Sequence, residues 1–332
     1  MKYTLHQNFS ELDSAAWNAL LNESVTNAPF LRYEYQEVWW RHRGGGEWQN
    51  AQLALISARE GERLVGIAPL FIAEYEGQPA LLLVGSIEIS DYLDVIARPA
   101  DHANFIAGLL DFVEGESLPR LNWYNLPDES ATLTVLQAES ARRGWSFRQE
   151  IYRPTPRIPL RGSFDDYLQN IEKKQRHEIR RKLRRAEESG RGVRWEISST
   201  QDVDAEIDSF LALMEQAPEK AEFLRPAMRA QLRDIIRVAR AHGWLWLAFL
   251  EADGERIAAA LNFDYDNKLW GYNAGVNRAF MELSPGWALL TYTLQWCCEN
   301  NRREFDFMRG DEEYKYRFGG SQQAVMRLIA GR

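Results

Sequence analysis

Between Arg309 and Lys315 the chain runs Arg-Gly-Asp-Glu-Glu-Tyr-Lys, which puts candidate bases, a candidate acid and a cation into one short polar loop. Asp311 or Glu312 could take a proton from a nucleophile, Tyr314 could protonate a leaving group, and Lys315 could hold an acidic substrate. Neighbouring carboxylates also raise one another's pKa when partly buried. The plainer alternative is a solvated charged loop whose ion pairs contribute little. Upstream, Ser284-Pro285-Gly286 has the composition of a helix start. Serine can cap the helix, proline suits the first turn, and glycine lets backbone N–H groups approach a ligand closely. Free N–H donors and the helix dipole favour an anion there, as in sites for phosphate-bearing cofactors.

These residues need a sheet to position them, and the chain reads as two copies of one pattern. In the first half, Gln52 to Ala58, Leu64 to Ala73 and Ala80 to Val84 form a three-strand meander; in the second, Trp244 to Glu251, Ile257 to Tyr265 and Lys268 to Ala274 form another. Even the turns agree, Gly61-Glu62-Arg63-Leu64-Val65 against Gly254-Glu255-Arg256-Ile257-Ala258. Helices are expected at Glu11 to Asn22, Tyr33 to Arg43 and Asp101 to Gly115, and again at Val203 to Gln216, Pro226 to His242 and Pro285 to Asn300. Strands Arg120 to Leu126 and Glu304 to Met308 follow the last helix of each half. The Arg-Pro-Thr-Pro-Arg-Ile-Pro stretch from Arg153 favours an extended connector. The expected organisation is a domain at 1–152, a linker at 153–162 and a second domain at 163–332, each α+β with a mostly antiparallel sheet flanked by helices.

Composition narrows the function. A chain of 332 residues, 45% hydrophobic, supports two cores. Met1 to His6 lacks the apolar core of a signal peptide and no apolar run is long enough to span a bilayer, so a cytoplasmic protein is expected. Cys297 and Cys298 are adjacent and form no disulfide framework, and the five histidines show no metal-ligand spacing, so no metal is expected. Charge is uneven. Lys173 to Arg194 carries ten Lys/Arg against three Glu on a chain of net charge −8. That basic stretch is either a solvated helix face or a local anion site, and the acidic remainder argues against a general nucleic-acid binder. Ser163 followed by Asp166 forms a capping signature for the helix that carries it. Ser90-Asp91-Tyr92-Leu93-Asp94 interrupts apolar strands with two carboxylates, which either serve a site or cap turns.

Four stretches carry a family resemblance: Phe164 to Gly190, Asn273 to Gly286 (NAGVNRAFMELSPG), Phe305 to Gly320 (FDFMRGDEEYKYRFGG) and, more weakly, Ser90 to Pro99 (SDYLDVIARP). The chain resembles the Gcn5-related N-acetyltransferase (GNAT) superfamily, and within it the CelD-like branch associated with cellulose and polysaccharide synthesis, itself similar to the FemAB peptidyltransferases. The glycine-rich pattern of typical acetyltransferases is absent, leaving Gly275 and the Ser-Pro-Gly turn. The resemblance implies tandem GNAT-like domains, of which the second binds acetyl-CoA or another acyl-CoA. It further implies two splayed strands with the cofactor's arm between them: Asn273, Ala274 and Gly275 would make backbone contacts, and Ser284, Gly286 and Trp287 would face the pyrophosphate. The Asp311 to Lys315 loop would overhang the reacting end. Asp91, Tyr92 and Asp94 would bind the acceptor in the first domain. The implied activity is acyl transfer to an amine or hydroxyl of a sugar or of a polysaccharide or cell-envelope precursor, with polysaccharide synthase components as possible partners. Aminoacyl transfer from aminoacyl-tRNA, as in FemAB proteins, and a non-catalytic synthase subunit are the alternatives.

Overall fold

Tight turns fix the register of the second meander. The expected first one is divided between two sheets, because the strand expected from Leu64 to Ala73 is two, Arg63–Ala68 and Leu70–Tyr75. Asp253-Gly254 and Asp266-Asn267 each place two successive residues at positive φ, the geometry that matches the twist of a two-residue hairpin, and Glu76-Gly77 repeats it in the first half. A computed structural model describes residues 1–199 and 202–332, and these divide into two units: Met1–Pro154 with Ala324–Arg332, and Thr155–Gln323.

The second unit is built on a six-stranded sheet in the order Arg157–Pro159, Glu304–Asp306, Lys268–Val276, Glu255–Tyr265, Leu245–Ala252, Arg194–Ile197. All neighbours are antiparallel except Glu304–Asp306 with Lys268–Val276. A parallel pair needs a crossover, and helix Pro285–Glu299 supplies it. The helix buries Ala288, Leu289, Leu294, Cys297 and Cys298 against Trp246, Ala248 and Leu250, alternate residues of one strand and therefore one face of the sheet. Val203–Met214 packs against the sheet at Lys268–Val276, and Pro226–Ala241 packs on that helix.

The basic stretch is not one helix. Ser163 and Asp166 do form a capping box, but the helix it opens stops at Gln169, and a second runs Lys173–Glu187 after a turn. Of the second, Ile179 and Ala186 are buried, Leu183 packs beside them, and the arginines point outward.

The first unit also has a six-stranded sheet, Gln52–Leu53, Leu70–Tyr75, Gln78–Leu83, Leu121–Pro127, Ala324–Gly331, Ser146–Pro154, with a four-stranded sheet of Lys2–His6, Leu55–Glu60, Arg63–Ala68 and Ile96–Ala97. Two findings alter the expected boundaries. The last strand, Ala324–Gly331, lies in the first unit between Leu121–Pro127 and Ser146–Pro154. Leu121–Pro127 is buried along its whole length, so the backbone groups of its second edge require a partner, and the end of the chain provides one. The proposed linker is partly sheet as well: Arg157–Pro159 is an edge strand, the position in a sheet where proline is tolerated.

Candidate active site

The parallel pair in the second unit separates early. Lys268, Leu269 and Trp270 face Glu304, Phe305 and Asp306; beyond Trp270 the strand continues to Val276 paired on one side only, to Glu255–Tyr265. Three features drive the separation. A register shift leaves Tyr272 as an extra residue opposite Leu261 and Asn262, which bends the strand. Met308 turns the other chain away at φ 60°, held by its N–H donating to Asp306 Oδ1 at 2.7 Å. Gly271 permits close approach just before the split, since a Cβ there would lie 3.0 Å from Phe305 Cζ and 3.1 Å from the Asp306 carbonyl oxygen. Buried Asp306 is ion-paired to Arg157 at 3.2 Å, which anchors the strand at the fork.

The expected backbone contacts fall on this open edge. Asn273 is half-buried and Ala274 exposed, but the Ala274 N–H already donates to Asn273 Oδ1 at 2.9 Å. Gly275 has a different reason to be glycine. A Cβ there would sit 2.5 Å from the backbone of Leu213 and Met214, so the residue serves the seating of helix Val203–Met214.

Ser284 departs from its expected role. It adopts φ 52°, ψ 54°, and its side chain does not cap the helix it precedes. The first intrahelical bond is from Ala288 N–H to the Ser284 carbonyl, so the Gly286 and Trp287 N–H groups precede the ladder. Gly286 lies close to Val276, whose Cγ1 would be 3.2 Å from an added Cβ. Around Trp287 the basic helix contributes directly: Lys182 Nζ stands 3.6 Å over the indole and Phe318 packs on it at 4.7 Å. Burial lowers the Lys182 pKa, against the opposing charge of Glu178. Arg185 donates to the Glu282 carbonyl at 3.4 Å.

The polar loop is a turn followed by the short helix Glu313–Arg317. Asp311 accepts a hydrogen bond from Tyr316 at 2.6 Å. Glu312 pairs with Lys315 at 2.9 Å. Lys315 is 3% exposed and also donates to the Met308 and Arg309 carbonyls at 3.2 and 2.8 Å. Its ammonium closes the turn, which corrects the expectation of a cation free to hold substrate. The Tyr314 side chain is 42% exposed, yet the packing around its hydroxyl and then the Glu312 charge push its pKa up to about 12, so it carries its proton at neutral pH.

Sequence reading missed Lys220, on the short helix Pro218–Phe223. Its Nζ donates to Asn273 Oδ1 at 2.9 Å and to the Ala274 carbonyl at 2.5 Å, across the open edge. Burial lowers its pKa while Glu219 and Glu312 act in the other direction. No spacing rule marks this lysine, because only the fold brings it to Asn273.

The first-unit candidates are internal to that unit. Asp94 is 0% exposed and accepts four hydrogen bonds, from Thr26 Oγ1 (2.6 Å), Ser130 Oγ (2.5 Å), Thr132 Oγ1 (2.5 Å) and Val95 N–H (2.8 Å). With no lone pair left for a substrate, it anchors the start of helix Ala131–Arg143, whose cap is Ser130. Asp91 and Tyr92, also expected to bind the acceptor, are buried at 5% and 2% exposure.

Residues 173–316 match the family model described as acetyltransferase (GNAT) domain. No curated protein sequence matches the chain. Among solved structures, FemX aligns with a TM-score of 0.68 at 11% identity, covering 98% of this chain and 97% of FemX. The C-terminal domain of a putative lysylphosphatidylglycerol synthetase from Agrobacterium fabrum aligns at TM-score 0.60 and 12% identity, over 98% and 93%. A tandem GNAT protein from the clavulanic acid biosynthesis pathway aligns at TM-score 0.51 and 14% identity, over 100% and 99%. The fold is thus α+β, with two GNAT-like units in tandem. Among the described residues no helix is long and apolar enough to cross a membrane.

Proposed function

We propose that this protein is an acyltransferase that moves an acetyl or other acyl group from acyl-CoA to an amine or hydroxyl of a sugar or of a polysaccharide or cell-envelope precursor. The observation that carries the reading is the strand edge left open from Gly271 to Val276. It belongs to the same unit as the helix start at Pro285 and the proton-bearing Tyr314. The thioester supplies an activated carbonyl; the chain supplies the surroundings. Residues Asn273 to Gly275 offer an extended backbone along which a ligand arm can lie. Gly286 and Trp287 offer N–H groups to phosphate oxygens, and Lys182 over Trp287 adds a cation. Asp311 or Glu312 takes the proton from the attacking amine or hydroxyl, and Tyr314 returns one to the leaving sulfur. Lys315 holds the loop in shape for both.

A second reading, aminoacyl transfer of the FemAB kind, is favoured by the whole-length similarity to FemX. Calorimetric titration with acetyl-CoA separates the two. The first reading requires saturable binding that weakens with added salt. Absence of binding by the intact chain removes CoA as the donor and leaves the second.

A further inference from the structure

Two donors converge on one oxygen at the open edge. Asn273 Oδ1 receives the Ala274 N–H at 2.9 Å and Lys220 Nζ at 2.9 Å. Lys220 is held there by the Ala274 carbonyl at 2.5 Å, so it is positioned by the same residue that supplies the other donor. A carboxamide oxygen gripped by a backbone N–H and an ammonium is the arrangement that polarises a carbonyl and stabilises an oxyanion. Ala274 is exposed and Lys220 half-buried, so the position can be reached from outside.

We infer that Asn273 Oδ1 stands in for a substrate's acyl oxygen, and that Lys220 is a catalytic residue that shares with the Ala274 N–H the charge developing on that oxygen. The assignment rests on the acyltransfer reading and deepens it. When the nucleophile adds to the acyl carbon, the C=O electron pair moves onto this oxygen; when the carbon–sulfur bond breaks, the carbonyl re-forms and the sulfur leaves with the proton from Tyr314. Lys220 gives up no proton at any stage. Displacing the Asn273 side chain also explains how an edge whose outward N–H is already satisfied can receive a ligand without leaving a donor unpaired. The charges facing the ammonium are Glu219 from its own helix and Glu312 from the loop, both of which favour the protonated form.

The test uses the intact chain and acetyl-CoA labelled with carbon-13 at the thioester carbonyl. Calorimetry first establishes binding, and infrared difference spectroscopy then reads the carbonyl stretch. The wild type should shift that band to lower frequency on binding. Lys220→Met should bind acetyl-CoA with affinity within about threefold of wild type yet lose most of the shift, and its turnover should fall by about 100-fold with KM little changed. Lys220→Arg should recover part of the shift, and Lys220→Gln, a neutral donor, less; these two serve if the methionine variant fails to fold by circular dichroism. An undiminished shift in folded Lys220→Met or Lys220→Gln overturns the role of Lys220 alone. Failure of the wild type to bind acetyl-CoA overturns the donor reading and this site with it.

Discussion

Each unit contains a parallel strand pair that separates, and the two gaps are treated in opposite ways. In the first unit, Gln78–Leu83 meets Leu121–Pro127 at Leu81 and Leu121, and the chain between them then turns back to fill the space. Asn125 Nδ2 donates to the carbonyls of Ile87 and Ser90 at 3.0 and 2.9 Å, the Leu93 N–H donates to the Asn125 carbonyl at 2.9 Å, and Tyr35 Oη donates to the Ile89 carbonyl at 2.8 Å. From Val84 to Ala97 only Glu88 is exposed. Among the described residues, the corresponding edge in the second unit is met by the side chains of Asn273 and Lys220, which can rotate away. A loop with its backbone hydrogen-bonded into a core is costly to remove, whereas two side chains are not. The two GNAT-like units thus differ in what satisfies one strand edge.

The largest expected effect comes from attacking the filled gap. Asp94→Ala leaves three hydroxyls and one N–H without their acceptor in a buried place, so it should cost about 4 kcal/mol, at roughly 1 kcal/mol per lost bond. Urea unfolding measures it. The second unit does not depend on Asp94, so acetyl-CoA affinity in native buffer should stay within about twofold of wild type. A stable Asp94→Ala protein that loses activity would instead return this carboxylate to the site and break the contrast between the units.

Next is the helix start on the open side. Gly286→Val should weaken acetyl-CoA binding at least tenfold, about 1.4 kcal/mol, because the added methyls crowd Val276 and the approach to the first-turn N–H groups. Gly286→Ala, whose Cβ needs Val276 to give way only slightly, should fall between, and melting temperatures tell lost packing from lost binding. Equal affinity in all three would remove Gly286 from the site.

Most of this frame was legible locally. Alternating apolar residues and Asp-Gly, Asp-Asn and Glu-Gly turns define strands without help from the rest of the chain, and six of the expected helices lie within a few residues of their observed ends, whereas Ala131–Arg143 was not expected. What failed were features decided at a distance. Ala324–Gly331 looks like any strand, and its assignment depends on an unpaired edge far back in the chain. Ser284 has a capping residue's identity but is forced to positive φ by the turn that precedes the helix. Lys315 and Lys220 are both lysines in charged stretches. One is buried as a clamp on two carbonyls and the other set on the open edge, and only three-dimensional proximity separates them.

The smallest effect should come from Lys182, and its sign with pH is informative. Burial lowers its pKa from the ordinary 10.5, so between the folded value and 10.5 the unfolded chain holds a proton that the native one has lost. Stability therefore rises with pH across that window as the buried charge is relieved, and Lys182→Met, which never carries the charge, should lack the rise. The stacking on Trp287 that the variant also loses is worth about 1 kcal/mol, so melting at neutral pH should change little in either direction. Ligand affinity should behave oppositely. If the ammonium over Trp287 assists phosphate binding, acetyl-CoA affinity falls as pH climbs through the lowered pKa, beginning below 10.5, and added salt mimics part of the loss. Lys182→Met should bind a few-fold more weakly at pH 7 and show a flatter alkaline limb. A variant whose affinity matches wild type at every pH and salt concentration would leave the basic helix as packing for Trp287 and put the phosphate site on backbone N–H groups alone.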